Sequence, residues 1–308
     1  MLWNIVGGTL LVVLVAFGGF LAVTWAPERS VESLKARWAP PPSQFIEILG
    51  MQAHVRDEGP RDDPAPIVLM HGMGSSLHAW EGWAKALKDK RRVITFDLPG
   101  YGLTGPSPDR LYGGERDIAF VLALLDRLGV KRVVLGGNSL GAGLTVRIAL
   151  LYPERVDRLI LVDGGIWAEN AEASFGLSLL ETPGLNWLLA HTLPRYFVRQ
   201  GLRFAWGDPN KITEELVDRS FELTQREGNR RALIDRFTQR RPSPLRARVP
   251  EIRQPTLILW GRLDRLVPLE AGERLHKQIA GSQLVVFDDL GHAPEEEDPA
   301  RTVEAVKK

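Results

Sequence analysis

Two hydrophobic textures share this chain. From residue 44 onward, short apolar runs alternate with longer segments whose apolar residues recur at helical spacing, whereas residues 2–23 carry no charge at all. The short runs predict an opening hairpin, 45–49 and 51–55 around Gly50, then buried strands at 67–70, 93–96, 133–135, 159–162, 256–260 and 284–287. Helical periodicity falls between them at 77–88, 115–128, 140–151, 269–279 and 299–307. This alternation predicts an α/β fold with a mostly parallel sheet covered by helices. The stretch 165–250 breaks the rhythm. It has no clear strand, turn signals at Thr182, Pro183, Gly184 and at Gly207, Asp208, Pro209, and helical spacing over 214–226 and 229–239. It is expected to be a helical insertion, dividing the globular part into 44–164, 165–250 and 251–308.

The uncharged stretch at the start predicts a membrane anchor over residues 1–27. As a helix, its apolar run would extend roughly 33 Å, enough to cross a hydrocarbon core. A cleaved signal peptide fits less well: no Lys or Arg precedes the run, and Pro27 follows the most plausible small cleavage residue, Ala26. Trp3 and Trp25 stand at the two ends, where interfacial rings are favoured. This implies single-pass membrane localisation with the side of the catalytic part open. Residues 28–43, ending in Pro40, Pro41, Pro42 and Ser43, are then expected to be a stiff linker.

Composition narrows the chemistry by exclusion. Lys plus Arg is 39 and Asp plus Glu is 38, which gives no reason to expect nucleic acid. The absence of cysteine removes thiol catalysis and disulfides, and the six histidines include no HExxH, so neither a metal nor a cofactor is expected.

The richest motif is GGNSLGAG, Gly136 to Gly143, directly after the run 133–135. Its glycines fit neither the GxGxxG dinucleotide fingerprint nor a P-loop, because Ala142 stands where the P-loop lysine belongs. What remains is GxSxG, Gly137 to Gly141, the spacing that mounts a serine on a sharp strand-to-helix turn. Three other pieces follow strand ends, where an open α/β sheet builds its site. His71, Gly72, Met73, Gly74 can aim the Met73 N–H at a developing oxyanion, with the Leu140 N–H as the second donor. Asp264, in GRLDRLVP, can orient an imidazole, and His292, in GHAPEEEDP, can supply one. His71 itself is expected to be structural. Asp163 also ends a strand and is the rival for the acid.

The order Ser139, Asp264, His292, together with HGMG at 71–74 and DLPGYG at 97–102, resembles the α/β-hydrolase fold family over residues 44–308. That resemblance implies an eight-stranded, mostly parallel sheet, a lid inserted after the sixth strand, and a structural role for Asp97. It further implies Ser139 as nucleophile, His292 as general base then acid, and Asp264 as its orienter. A serine here predicts an acyl-enzyme route and hydrolysis of a carboxylic ester, apolar or lipid-like if the anchor holds the enzyme near a bilayer. The lid aromatics Trp167, Phe175, Trp187, Tyr196, Phe197, Phe204 and Trp206 are candidates for the pocket, as is Asn138. A second reading starts from Asn138: GNSLG is similar to the GNSMG of hydrolases that cleave C–C bonds in ring-fission products of aromatic degradation. The chain departs from those enzymes at Ala293, where they carry tryptophan, and at HGMGSS, which lacks a proline after the second glycine. A third reading, a membrane-tethered binding protein with a degenerate hydrolase fold, is opposed by the presence of both serine and histidine.

Overall fold

The computed structural model describes residues 2–166, 182, 184–239 and 243–307. Among these, eight strands form one sheet in the order β1-β2-β4-β3-β5-β6-β7-β8. The strands are β1 (Gln44–Ile48), β2 (Met51–Glu58), β3 (Ile67–Met70), β4 (Val93–Phe96), β5 (Val133–Asn138), β6 (Val156–Val162), β7 (Thr256–Gly261) and β8 (Gln283–Phe287). β1 and β2 are an antiparallel hairpin and β2 runs antiparallel to β4; every later pairing is parallel. The hairpin closes through Leu49 and Gly50, both at positive φ, the backbone that a two-residue primed turn requires.

Alternate residues of each central strand feed two cores. Val68 and Met70 pack with α4 (Gly114–Arg127) and α5 (Leu140–Leu151), while Ile67 and Leu69 face α3 (Glu81–Leu87) and the C-terminal helix Pro299–Lys307. Burial of both faces explains why the strands read as continuous apolar runs rather than as alternations. α5 lies so deep that nearly all of its residues are buried, which suits its uniformly apolar and small sequence.

The insertion between β6 and β7 contributes four described helices, α6 (Leu185–His191), α7 (Arg195–Ala205), α8 (Glu214–Thr224) and α9 (Asn229–Thr238). β7 is followed by α10 (Leu269–Gln278), and β8 by α11 (Pro294–Glu297) and α12 (Pro299–Lys307).

The N-terminal expectations need correction. Among the described residues no helix is long and apolar enough to cross a membrane. A helix, α1 (Leu2–Thr24), does form over the uncharged run. Its C-terminal end is tied into the lid: Ala26 N–H donates to the His191 carbonyl at 3.0 Å and Leu193 N–H to that of Thr24 at 3.0 Å. Trp25, expected at a membrane interface, stacks on His191 instead. The structure therefore does not bear out the transmembrane helix or the membrane localisation. Nor is 28–43 an extended spacer throughout. Ser30 caps α2 (Val31–Trp38), and Leu34 and Trp38 are buried against Leu103 and Leu223.

Candidate active site

The turn that carries Ser139 is strained by construction. β5 ends at Asn138, α5 begins at Leu140, and Ser139 between them has φ 52° and ψ −111°. Such a conformation costs on the order of 1–3 kcal/mol and persists only where its surroundings enforce it. Ser139 N–H donates to the Val162 carbonyl at 2.9 Å, and its own carbonyl accepts from Gly143 N–H at 3.1 Å. The flanking glycines have a steric cause: a Cβ on Gly137 would lie 2.3 Å from the Gly141 carbonyl carbon, and one on Gly141 would lie 2.2 Å from the Met70 oxygen. Only hydrogen fits at either position, which gives GxSxG its spacing.

The other expected residues converge on this turn from neighbouring strands. His292 Nδ1 bonds Asp264 Oδ2 at 2.7 Å, and Asp264 Oδ1 accepts the N–H groups of Leu266 at 2.7 Å and Val267 at 2.9 Å. That geometry puts the Nδ1 proton on the Asp264 side and leaves Nε2 as the free base. Ser139 and His292 line one cavity of about 450 Å³ together with Met73 and Asn138. Leu140, at the first position of α5, has an amide without an intrahelical acceptor, and Met73 N–H donates to no acceptor among the described residues. Both are therefore available to an oxyanion, with the N-terminal end of α5 adding its dipole.

Asn138 does more than line the pocket. Its Nδ2 donates to the carbonyl of His292 at 2.8 Å, so the residue before the serine holds the loop that carries the histidine. The same loop is fixed from the lid side. His292 N–H donates to the Ala205 carbonyl at 2.7 Å, and Glu297 accepts from the amides of Gly207, Asp208 and Gly291. Glu297 was legible only as part of GHAPEEEDP, with nothing in the sequence to assign it this clamp.

His71 is buried, with Nε2 accepting from Leu98 N–H at 3.0 Å and Nδ1 bonded to the Gly72 carbonyl at 2.7 Å. The proton must then sit on Nδ1, and burial pulls the imidazole below its ordinary range, so the ring is a neutral brace under the oxyanion loop. Asp97 holds the same loop from below by accepting Leu77 N–H at 2.7 Å, Leu103 N–H at 2.7 Å and His54 Nδ1 at 2.8 Å. Burial alone would raise its carboxyl, but His54, bonded to it, overcomes this and holds it below the usual carboxylate range.

The pocket candidates from the lid divide. Trp167 and Phe175 lie outside the described residues. Trp187 does not line the cavity; it is half exposed and stacks on His191 with centroids 4.6 Å apart. Phe197, Phe204 and Trp206, which belonged to the same set of lid aromatics, do line it, and the unanticipated Phe237 joins them. Two acids from α11 also border the cavity. Glu296 pairs with Arg219 of α8. Glu295 is buried with Oε2 unpartnered, and burial, with the carboxylates of Glu296 and Asp264 nearby, pushes it well above the usual carboxylic range.

A profile of the α/β-hydrolase fold matches residues 65–299. The chain belongs to the α/β-hydrolase fold family. This α/β-hydrolase is 32% identical over 254 residues to a 2-hydroxy-6-oxo-2,4-heptadienoate hydrolase of Pseudomonas putida, a match covering 79% of this chain and 87% of the relative. It is 31% identical over 268 residues to a 2-hydroxy-6-oxononadienedioate/2-hydroxy-6-oxononatrienedioate hydrolase, also of Pseudomonas putida, covering 81% and 90%. Among solved structures, a meta-cleavage product hydrolase from Pseudomonas fluorescens superposes with a TM-score of 0.72 at 28% identity, over 85% of this chain and 95% of the other. The α/β-hydrolase is thus a hydrolase whose relatives are dienoate hydrolases. The lipase-like expectation, which leaned on the membrane anchor, is corrected by the same relatives.

Proposed function

We propose that this α/β-hydrolase cleaves a C–C bond next to a ketone in a 2-hydroxy-6-oxo-dienoate, the class of compound named by its relatives. The observation that carries the reading is the likeness to two such hydrolases at 31–32% identity over about four-fifths of the chain. The site supports the chemistry. Ser139 Oγ gives its proton to His292 Nε2 and adds to the keto carbon, and the oxyanion is received by the amides of Met73 and Leu140. The step requires the substrate as its 2,6-dioxo tautomer, in which the 2-hydroxyl proton has moved to C5. Collapse then breaks the C5–C6 bond, and the electron pair left on C5 delocalises through the C3=C4 bond onto the C2 carbonyl oxygen, the resulting dienolate taking the proton back from His292. Water, activated by His292, then hydrolyses the acyl-serine. Asp264 stays ionised throughout and stabilises the imidazolium.

Ester hydrolysis uses the same steps with an alkoxide leaving, and two sequence features favour keeping it as the second reading: Ala293 after the histidine and HGMGSS without proline. The test is a direct comparison of purified enzyme on 2-hydroxy-6-oxo-2,4-heptadienoate, followed by loss of its dienolate absorbance, and on p-nitrophenyl acetate and butyrate. A kcat/KM on the dienoate at least about tenfold above either ester, or more than about 1.4 kcal/mol of transition-state preference, is expected. Turnover of the esters alone would replace the C–C reading with the ester one.

A further inference from the structure

Asp163 ends β6 beside the acid–base pair, fully buried, at φ 43°. One oxygen has a clear partner: Oδ1 accepts Gly261 N–H at 2.9 Å. The other, Oδ2, has no hydrogen-bond donor. Around it stand groups from each element packed on this corner. Asp264 comes from the loop after β7, and His292 and Glu295 from the segment after β8. One ligand-type atom each of Asp163, Asp264 and His292 lie within 4.8 Å of one another. Two carboxylates at such separation, both out of water, do not both ionise. Asp264 is committed to the charged form, because its two oxygens accept two backbone amides and an imidazole N–H. The proton therefore resides on Asp163, and it supplies the donor whose lack leaves Oδ2 unexplained.

We propose that Asp163 is a positioning residue for the catalytic acid, a carboxylic acid that donates its Oδ2–H to Asp264 and so fixes the carboxylate facing His292. Burial first, and the charge of Asp264 second, hold the Asp163 carboxyl well above its ordinary range, in keeping with this assignment. A neutral donor on Asp264 draws off part of its charge. The imidazolium is then stabilised less than it would be by an unshared carboxylate. Burial likewise raises the Glu295 carboxyl above its ordinary range.

Asp163→Asn and Asp163→Gly separate this from a purely structural role. Asn keeps a donor and tolerates positive φ, whereas Gly accepts the backbone and removes the donor. The readout is the acidic limb of the kcat/KM profile between pH 5 and 10. It is followed on whichever of the dienoate or p-nitrophenyl acetate the enzyme turns over, so that the result does not depend on the substrate reading. The wild-type limb is expected to be retained in Asp163→Asn and to move up by about one pH unit in Asp163→Gly, a loss of about tenfold on that limb. A limb that moves down in Asp163→Asn would show that Asp163 is ionised in the native enzyme and would overturn the proposal. So would identical limbs in all three proteins. If Asp163→Gly does not fold, Asp163→Ala removes the same donor and is expected to move the limb up in the same way, an unmoved limb there overturning the proposal.

Discussion

The strand-end corner and the layer above it are held by different physics. At the corner, Ser139, Asp264 and His292 sit on short connections whose backbones touch: Gly137 packs on Gly141, Asn138 bonds the His292 carbonyl, and Asp264 is clasped by two amides. In the upper layer, α8 is held largely by long side chains. Arg37 reaches Asp218 at 3.0 Å and Glu222 at 3.1 Å, Arg195 also reaches Asp218, and Arg219 pairs with Glu296. Close backbone packing leaves little room to relax, whereas partly exposed ion pairs can exchange partners with water at small cost. The corner should therefore control turnover steeply and the upper layer should control substrate fit gently.

The steepest test of that contrast is Ser139→Ala. A loss of about 10⁵-fold or more in kcat is expected, with substrate binding kept, because nucleophile and base act as one unit. The check is single-turnover kinetics beside equilibrium titration of the dienoate. Residual turnover above about 1% of wild type would remove Ser139 from the nucleophile role.

Asp264→Asn follows, with an expected loss of about 10³–10⁴-fold in kcat and an unchanged fold by circular dichroism. Full activity in this variant would move the acid role to Asp163. The comparison sharpens if Asp163→Asn keeps most turnover, since the two carboxyls face one imidazole but only one carries charge.

Much of this corner is legible in the sequence. Strands 67–70 and 93–96 and the helices 140–151 and 299–307 form at the expected residues, because a buried parallel strand and a deeply buried helix leave continuous apolar signals. The order of Ser139, Asp264 and His292 placed each after a different strand, and the fold brings Ser139 and His292 to one cavity with Asp264 bonded behind the imidazole. What could not be read were contacts between residues far apart in sequence. Asn138 looked like a pocket residue because its neighbour is the serine, yet its amide serves a carbonyl 154 positions on. Trp187 shares composition with Trp206, but only a three-dimensional path decides that Trp206 is buried at the cavity while Trp187 stacks on His191. The run 2–23 carries hydrophobicity without showing what its end will touch, and the contacts of Thr24, Trp25 and Ala26 with 191–193 were invisible in it.

An intermediate effect is expected at Asn138→Ala. Losing the 2.8 Å bond to the His292 carbonyl frees the loop on one side while Asp264 and the Ala205 carbonyl still hold it. About 10–100-fold in kcat should go, with KM changed by less than about threefold, since a small misplacement of the base acts on the chemical step. A KM effect larger than the kcat effect would return Asn138 to substrate binding.

The corner also carries a pH signature in stability. Glu295 is held above its ordinary range by burial, so its neutral form is favoured in the folded state. Its contribution is complete below the unfolded carboxyl range near pH 4 and is lost as pH rises through the raised folded value. Glu295→Gln keeps the shape without titrating. Its Tm should therefore gain on wild type between pH 7 and pH 9, the difference narrowing or reversing at pH 5. Parallel Tm curves for the two proteins would mean that Glu295 is already ionised at neutral pH.

The smallest effect belongs to the upper layer, at Trp38. Its Nε1–H donates to Glu222 of α8 at 2.6 Å, while its carbonyl is bonded by Nε2 of His78, the ring that follows the oxyanion loop. Burial pulls His78 down to about 3, so this ring stays neutral and donates through Nε2 across the working pH range. α2 thus joins the loop below the cavity to a helix that lines it through Leu216, Ser220 and Leu223. Trp38→Phe keeps the ring packing on Leu34 and Leu223 and removes only the donor. The loss should be about 0.5–1.5 kcal/mol, read as a two- to tenfold rise in KM with kcat nearly constant. A fall in kcat of the size expected for Asn138→Ala would show instead that α2 governs the chemical step and would erase the distinction between the two regions.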